Sequence, residues 1–215
     1  MTRDEVLERL EERLRDPKAL GLIGADLAGV DLRGIDLRGA DLRAANLNNA
    51  NLYGADMTGA AMKSVDLRGA DLTYTNLAYA RMDFANLEGA NLRGTDLHGA
   101  RLRGANLTET NLAYAELTGA NLENANLTSA NLEEAILRSI YLKDANLNNA
   151  NLRRVRGIVC AGYDPRGYRF VGVAYPHGSY VKAGCRWFTI PEARDHWLLN
   201  RDALARVELI ERIMD

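Results

Sequence analysis

The sequence predicts an all-β stacked solenoid over most of its length, and two observations carry that expectation. Every fifth residue from Leu22 to Leu152 is Leu, save Met57, Met62 and Met82, giving twenty-seven positions in one unbroken register. Two places before each from Leu27 onward sits a small or β-branched residue, usually Ala: Ala25, Val30, Ile35, Ala40 and onward to Ala150. Asp or Asn stands between the two in twenty of the twenty-seven, as in Ala40-Asp41-Leu42 and Ala145-Asn146-Leu147. A period of five matches neither the helix at 3.6 nor the strand at 2.0. Stacking of repeated units, rather than local secondary structure, must therefore set the pattern.

These A(D/N)LxG runs resemble the pentapeptide repeat family, over about 131 of the 215 residues. The resemblance implies a right-handed quadrilateral β-helix in which four pentapeptides make one square coil. The central leucines, among them Leu67, Leu87, Leu107 and Leu127, would then point inward and stack on their equivalents one coil away. A square tube leaves little room, so each corner pairs one large side chain with one small one. Asp or Asn before the Leu suits a turn, because its short side chain bonds nearby backbone amides. Gly two places after the Leu tolerates the backbone angles a tight corner needs. With about 6.75 coils and a strand spacing of ~4.8 Å, the tube would be roughly 32 Å long.

Three segments follow: an N-terminal capping helix over 1–18, the repeat over 19–152 and a C-terminal α+β module over 153–215. Thr2-Arg3-Asp4-Glu5 is a capping-box pattern, and Val6, Leu7, Leu10 and Leu14 form an apolar stripe. Asp16-Pro17 ends this helix. It is read as a lid over the first coil, whose core and backbone edge would otherwise meet water. After Leu152 the period stops, and Arg153 to Gly157 breaks the tube. Tyr168–Tyr175 and Tyr180–Ala183 read as a β-hairpin joined through Pro176 to Ser179. Thr189-Ile190-Pro191-Glu192 opens a helix to about Trp197, and Asn200 would cap a second one. The stretches Lys182–Phe188 and Glu192–Trp197 resemble, more weakly, a segment of uncharacterised phage and bacterial proteins, which implies no activity.

Charge divides unevenly. Residues 1–21 net −1, residues 22–152 net −5 and residues 153–215 net +4. No apolar run approaches the ~18–20 residues of a membrane span, and Met1–Asp16 is too charged for a signal peptide. A cytoplasmic location with no membrane partner is expected, with Cys160 and Cys185 as reduced thiols.

Residues twenty apart would share one side of a four-sided tube. On that arithmetic five of the seven departures from Asp/Asn (Gly21, Ala61, Arg81, Arg101 and Tyr141) fall on the Leu22 side. Arg43, Lys63, Arg103 and Lys143 lie there too, with Phe84 nearby and Asp41, Asp83, Glu123 and Asp144 among them. Lys63, Arg81, Arg101, Arg103 and Tyr141 are the candidate interaction face; relaxed turn geometry on that side is the competing reading. Tyr53, Tyr74, Tyr79 and Tyr114 form a second cluster, read either as cover for the backbone or as an aromatic recognition patch.

Catalysis has no evident home, and no cofactor is expected. The tail holds Cys160, Cys185, His177 and His196. Their spacings of 24 and 18 intervening residues do not match the close pairs of a zinc site. A Cys185–His196 nucleophile pair is the other chemical option; packing of Cys, Trp187, Phe188 and Trp197 is the plain one. The expected function is a non-enzymatic scaffold binding an unidentified protein, with a homodimer through the C-terminal module as one arrangement. The family resemblance also implies an alternative, a DNA mimic that binds DNA gyrase or topoisomerase IV. Duplex DNA carries one charge per ~1.7 Å, so a rod of roughly 32 Å would need about nineteen. The repeat nets only −5, which leaves mimicry to Asp26, Asp31, Asp36, Asp56, Asp66, Asp71 and Asp96. No direct contact with nucleic acid is expected.

Overall fold

The computed structural model describes residues 1–15, 21–163, 169–175, 178–183, 186–197 and 201–214. From Asp26 to Arg156 the residue before each central Leu pairs in parallel with the residue twenty places on: Asp26 with Asn46, Asn46 with Asp66, and so to Ile136 with Arg156. A repeat of twenty built from units of five makes four sides per coil. Each side contributes a single ladder residue, so the tube has no extended strands.

Three backbone bonds per side join successive coils. Leu27 N–H donates to Asn46 C=O (2.7 Å), Gly29 N–H to Asn48 C=O (2.9 Å) and Asn46 N–H to Ala25 C=O (2.9 Å). A fourth bond turns each corner: Ala25 N–H donates to Leu22 C=O (3.1 Å). The third residue of that turn has positive φ, as in a type II turn. All twenty-seven corner positions share this, yet only twelve carry Gly. The geometry is therefore imposed by the stack, and fifteen other side chains accept it.

The core follows directly. The central Leu and Met side chains and their Ala neighbours form one buried column from Leu22 to Leu152. Burying each Leu contributes about 1.5–3 kcal/mol, so this column outweighs any single surface bond. Thr75, Thr95 and Thr110 replace Ala, and their hydroxyls donate to the carbonyls of Leu52, Leu72 and Leu87 (2.9, 2.7 and 2.8 Å).

Asp and Asn before the Leu accept the N–H two residues on, as Asp31 Oδ1 does from Arg33 (3.1 Å). Neighbouring coils also join through asparagine ladders. Asn151 Nδ2 donates to Asn131, Asn131 to Asn111 and Asn111 to Asn91 (2.9, 3.3 and 3.0 Å). Four Asp-Leu-Arg units close a further contact, in which guanidinium folds onto carboxylate: Arg33 on Asp31 (2.6 Å), Arg38 on Asp36 (2.6 Å), Arg43 on Asp41 (2.8 Å) and Arg68 on Asp66 (2.6 Å). The arginine holds the Asp31 and Asp36 carboxyls down at about 2.

The ladder is directional. On each side two carbonyls point toward the N-terminal end of the tube and one toward the C-terminal end. Helix α1 (Arg3–Arg15) lies at the first end. The Met1 ammonium donates to Asp26 C=O (3.2 Å) and the Arg3 guanidinium to Arg33 C=O (3.0 Å), carbonyls with no earlier coil to bond. Thr2 and Glu5 exchange the two bonds of a capping box. Val6 is buried in the tube's core cluster and Leu10 packs against it. Leu7, a fourth of a turn away, is exposed.

The tail differs from a lone hairpin. It forms a four-stranded antiparallel sheet of β1 (Val159–Tyr163), β2 (Arg169–Tyr175), β3 (Gly178–Ala183) and β4 (Arg186–Thr189), in that order. Helices α2 (Ile190–Trp197) and α3 (Arg201–Met214) follow, and α3 packs on β1, β2 and β3. The tube runs four residues past Leu152, because Leu137 N–H still finds Arg156 C=O (2.6 Å). Val171 of β2 is buried in the tube's cluster. Lys182 of β3 is also buried, and its Nζ donates to Ala145 C=O (2.7 Å), a carbonyl that points out of the last coil. Asn200, expected to cap α3, lies outside the described residues.

Two outcomes follow from the core and the paired carboxylates. Leu107→Ala should lower stability by about 2–5 kcal/mol, since stacked coils on both sides prevent collapse around the cavity. Thermal or chemical melts check this. Asp31 should titrate near 2 by NMR and return toward 3.8 in Arg33→Gln. Because the folded value is depressed, the pair's contribution is complete above about pH 4 and fades as pH falls through about 2.

Candidate interaction face

The ladder on the Leu22 side runs Asp41, Ala61, Arg81, Arg101, Asn121, Tyr141. Arg81 and Arg101 are thus direct neighbours, as the twenty-residue arithmetic places them. Tyr141 is 39% exposed but stands two coils beyond Arg101, with Asn121 between, and so does not join the cluster.

Turn chemistry on this side is weaker than elsewhere. Asn121 Oδ1 still accepts Glu123 N–H (2.9 Å), and Asp41 reaches Arg43 N–H at 3.4 Å. Ala61, Arg81 and Arg101 have no carboxylate or amide oxygen to offer Lys63, Asp83 and Arg103. Glu116, a departure on another side, keeps the contact: its Oε1 accepts Thr118 N–H (2.9 Å). A lost bond of this kind costs about 0.5–1.5 kcal/mol, which the Leu core absorbs easily.

Charge separates the sides more sharply. The Leu22 side carries six bases and four acids, a net of +2, whereas the Leu27, Leu32 and Leu37 sides net −3, −2 and −2 within residues 22–152. Some of the cations are engaged. Arg43 lies on Asp41, and Arg101 reaches the nearly buried Asp83 carboxylate (3.1 Å). The Lys63 ammonium sits 5.9 Å from the centre of the Phe84 ring. Arg81 and Arg103 are exposed and make no ion pair among the described residues. The row Lys63, Asp83, Arg103, Glu123, Lys143 alternates in sign from coil to coil, which limits repulsion within the side.

The aromatic residues form a belt around one coil. Tyr74, Tyr79 and Phe84 occupy three successive corners, each at φ of 56–60° and 56–59% exposed. Each ring lies on the glycine one coil further on. A methyl group at Gly94, Gly99 or Gly104 would come within 2.6, 2.8 or 2.7 Å of it. Tyr53 meets Tyr74 edge-on (5.9 Å between centres), His98 meets Tyr79 (5.3 Å), and the Arg93 guanidinium lies 4.2 Å from the Tyr114 ring centre. Backbone cover thus accounts for the rings' posture. Sequence reasoning noted Phe84 only as a neighbour of the face. The available signal was an aromatic residue at a corner with Gly twenty residues later.

In the tail, the His196 ring is 5.0 Å from that of Phe188 on an exposed part of α2. Of the expected Cys–His set, Cys185 and His177 lie outside the described residues, as does the side chain of Cys160. No helix among the described residues is long and apolar enough to cross a membrane.

Comparison with known proteins bears on the tube. A search of curated proteins gave no match. Among solved structures, HetL, a pentapeptide repeat protein involved in heterocyst differentiation regulation from the cyanobacterium Nostoc sp. strain PCC 7120, is 31% identical. That match covers 62% of this chain and 75% of HetL, with a TM-score of 0.35. Trypsin-treated QnrB1, a plasmid-mediated fluoroquinolone resistance protein, is 18% identical over 63% of this chain and 75% of its own, with a TM-score of 0.45. A pentapeptide repeat protein of the Arabidopsis thaliana thylakoid lumen is 28% identical over 57% and 72%, with a TM-score of 0.28. The family model for pentapeptide repeats matches in overlapping segments from 22–59 through 120–156. With its square coils, its buried leucines and this match across more than half its length, the chain belongs to the pentapeptide repeat family, whose members fold as right-handed quadrilateral β-helices.

Proposed function

We propose that this chain is a non-enzymatic scaffold that binds an acidic protein partner through its Leu22 side. The observation that carries the reading is the charge partition. One side of an otherwise negative tube is positive, and Arg81 and Arg103 stand on it with no carboxylate partner among the described residues. Complementary charge mainly sets encounter rate and specificity at such a surface. In this reading α1 and the C-terminal module serve as caps, since an open coil edge would template pairing with other chains. Self-association is assigned to the C-terminal module, where α3 exposes Leu209. The proposed setting is the cytoplasm.

A gyrase- or topoisomerase-binding DNA mimic has less support. Of the carboxylates left for mimicry, Asp31, Asp36 and Asp66 lie against arginines two residues away, which offsets the negative field those three would present. The supporting likeness to QnrB1 is one of fold alone.

Arg101 is tied to Asp83, so the cleaner test replaces Arg81 and Arg103. Arg81→Asn restores a turn acceptor, and Arg103→Thr places a residue type already found after the Leu at Thr108 and Thr128. The melting temperature should hold or rise slightly, while capture of acidic proteins, compared by quantitative mass spectrometry against wild type, falls. Equal capture by both proteins would leave relaxed turn geometry as the account of this side.

A further inference from the structure

We infer that Phe84 is the apolar anchor of this positive side, and that the partner presents an acidic segment bearing an apolar side chain. The inference rests on the binding reading above and adds the chemistry of the occupant. Phe84 holds a positive-φ corner, where a bulky residue is strained and Gly is the relaxed choice. It is also 56% exposed, so the strain is not offset by burial in the core. Covering the backbone of the next coil explains the ring's posture, as it does for Tyr74 and Tyr79. It does not explain the surroundings, which differ among the three. Tyr74 and Tyr79 meet other aromatic rings, Tyr53 and His98, and lie on sides of net negative charge. Phe84 lies on the only positive side, beneath the Lys63 ammonium, with Arg81, Arg101 and Arg103 on the same and the next coil.

The ring is also fixed before any partner arrives. Gly104 leaves it a seat that a side chain at that position would fill, and Lys63 approaches from the preceding coil. A pre-ordered aromatic surface within a ring of charges is the common form of an interface anchor. The charges select carboxylates, and the exposed ring supplies the apolar contact that Coulomb attraction alone cannot. A second copy of this chain fits poorly as the occupant. A two-fold contact sets the same patch against itself, here one positive side on another.

The test uses the full chain and three peptides of equal length. The first is rich in Glu with two central Leu, the second replaces those Leu by Ser, and the third replaces Glu by Lys in the first. Wild type should bind the Glu–Leu peptide at least about tenfold more tightly than the Glu–Ser peptide, the loss typical of an anchor removed. Phe84→Gly relaxes the corner, so its melting temperature should hold or rise. It should erase the preference for Leu while leaving affinity for the Glu–Ser peptide unchanged. Arg81→Asn with Arg103→Thr should weaken both acidic peptides together. An unchanged Leu preference in Phe84→Gly would overturn the anchor while leaving the charged face standing. Failure of wild type to prefer either acidic peptide over the Lys peptide would overturn both. A wild-type dimer that becomes monomeric on Phe84→Gly in sedimentation would assign the ring to a second copy and contradict the inference.

Discussion

The corner bond from the N–H of each small residue to the carbonyl of the Leu three places before it governs this molecule. It closes a turn every five residues, and four such turns bring the chain back beneath itself. Each later feature depends on that return. The leucines stack because their corners stack, and the ladder carbonyls find donors only because the next coil is in register. Positive φ appears at every corner for the same reason, whatever residue stands there. A one-residue slip would turn the leucines outward along the remaining length, which is why the register holds without interruption from Asp26 to Arg156.

Two scales of energy separate what is fixed from what is free to vary. The buried leucines contribute about twice as much per residue as the surface turn bonds. One side can therefore give up its Asp and Asn acceptors and still fold. The Leu22 side has done so at Ala61, Arg81, Arg101 and Tyr141, while Asp41 and Asn121 keep the turn contact. On the other sides the same positions carry asparagine ladders or Asp–Arg pairs, which occupy their polar groups internally. Part of the negative charge on those sides is thereby paired within the tube, although each of them keeps a net negative charge, whereas the Leu22 side alone nets positive.

Much of this was legible from spacing alone, because a period of five admits few structures and its multiple of twenty assigns sides. Arg81 beside Arg101, the buried Leu107 and the odd Leu22 side all follow from counting. Other features depend on side-chain reach, which counting does not contain. Arg101 turns to Asp83, two residues after its ladder neighbour, and the Phe84 ring reaches forward to Gly104. The tail offered no period, and β1 and β4 are short strands whose pairing is set by the sheet rather than by their own pattern. The extension to Arg156 leaves no mark in the sequence, because a ladder bond needs only a backbone, not the Leu that marks the repeat.

Amide hydrogen exchange on the full chain, read residue by residue by NMR, tests the central claim most directly. In each five-residue unit of the inner coils four amides bond to backbone carbonyls, whereas the one after the Leu depends on the Asp or Asn oxygen. Exchange should therefore be slow at four positions and faster at the fifth. Among the fifth positions it should be fastest at Lys63, Asp83, Arg103, Arg138 and Lys143, which follow Ala61, Arg81, Arg101, Ile136 and Tyr141 and have no such oxygen. Uniform protection around the tube, or Lys63, Arg103 and Lys143 exchanging as slowly as Thr108 and Thr128, would contradict the account.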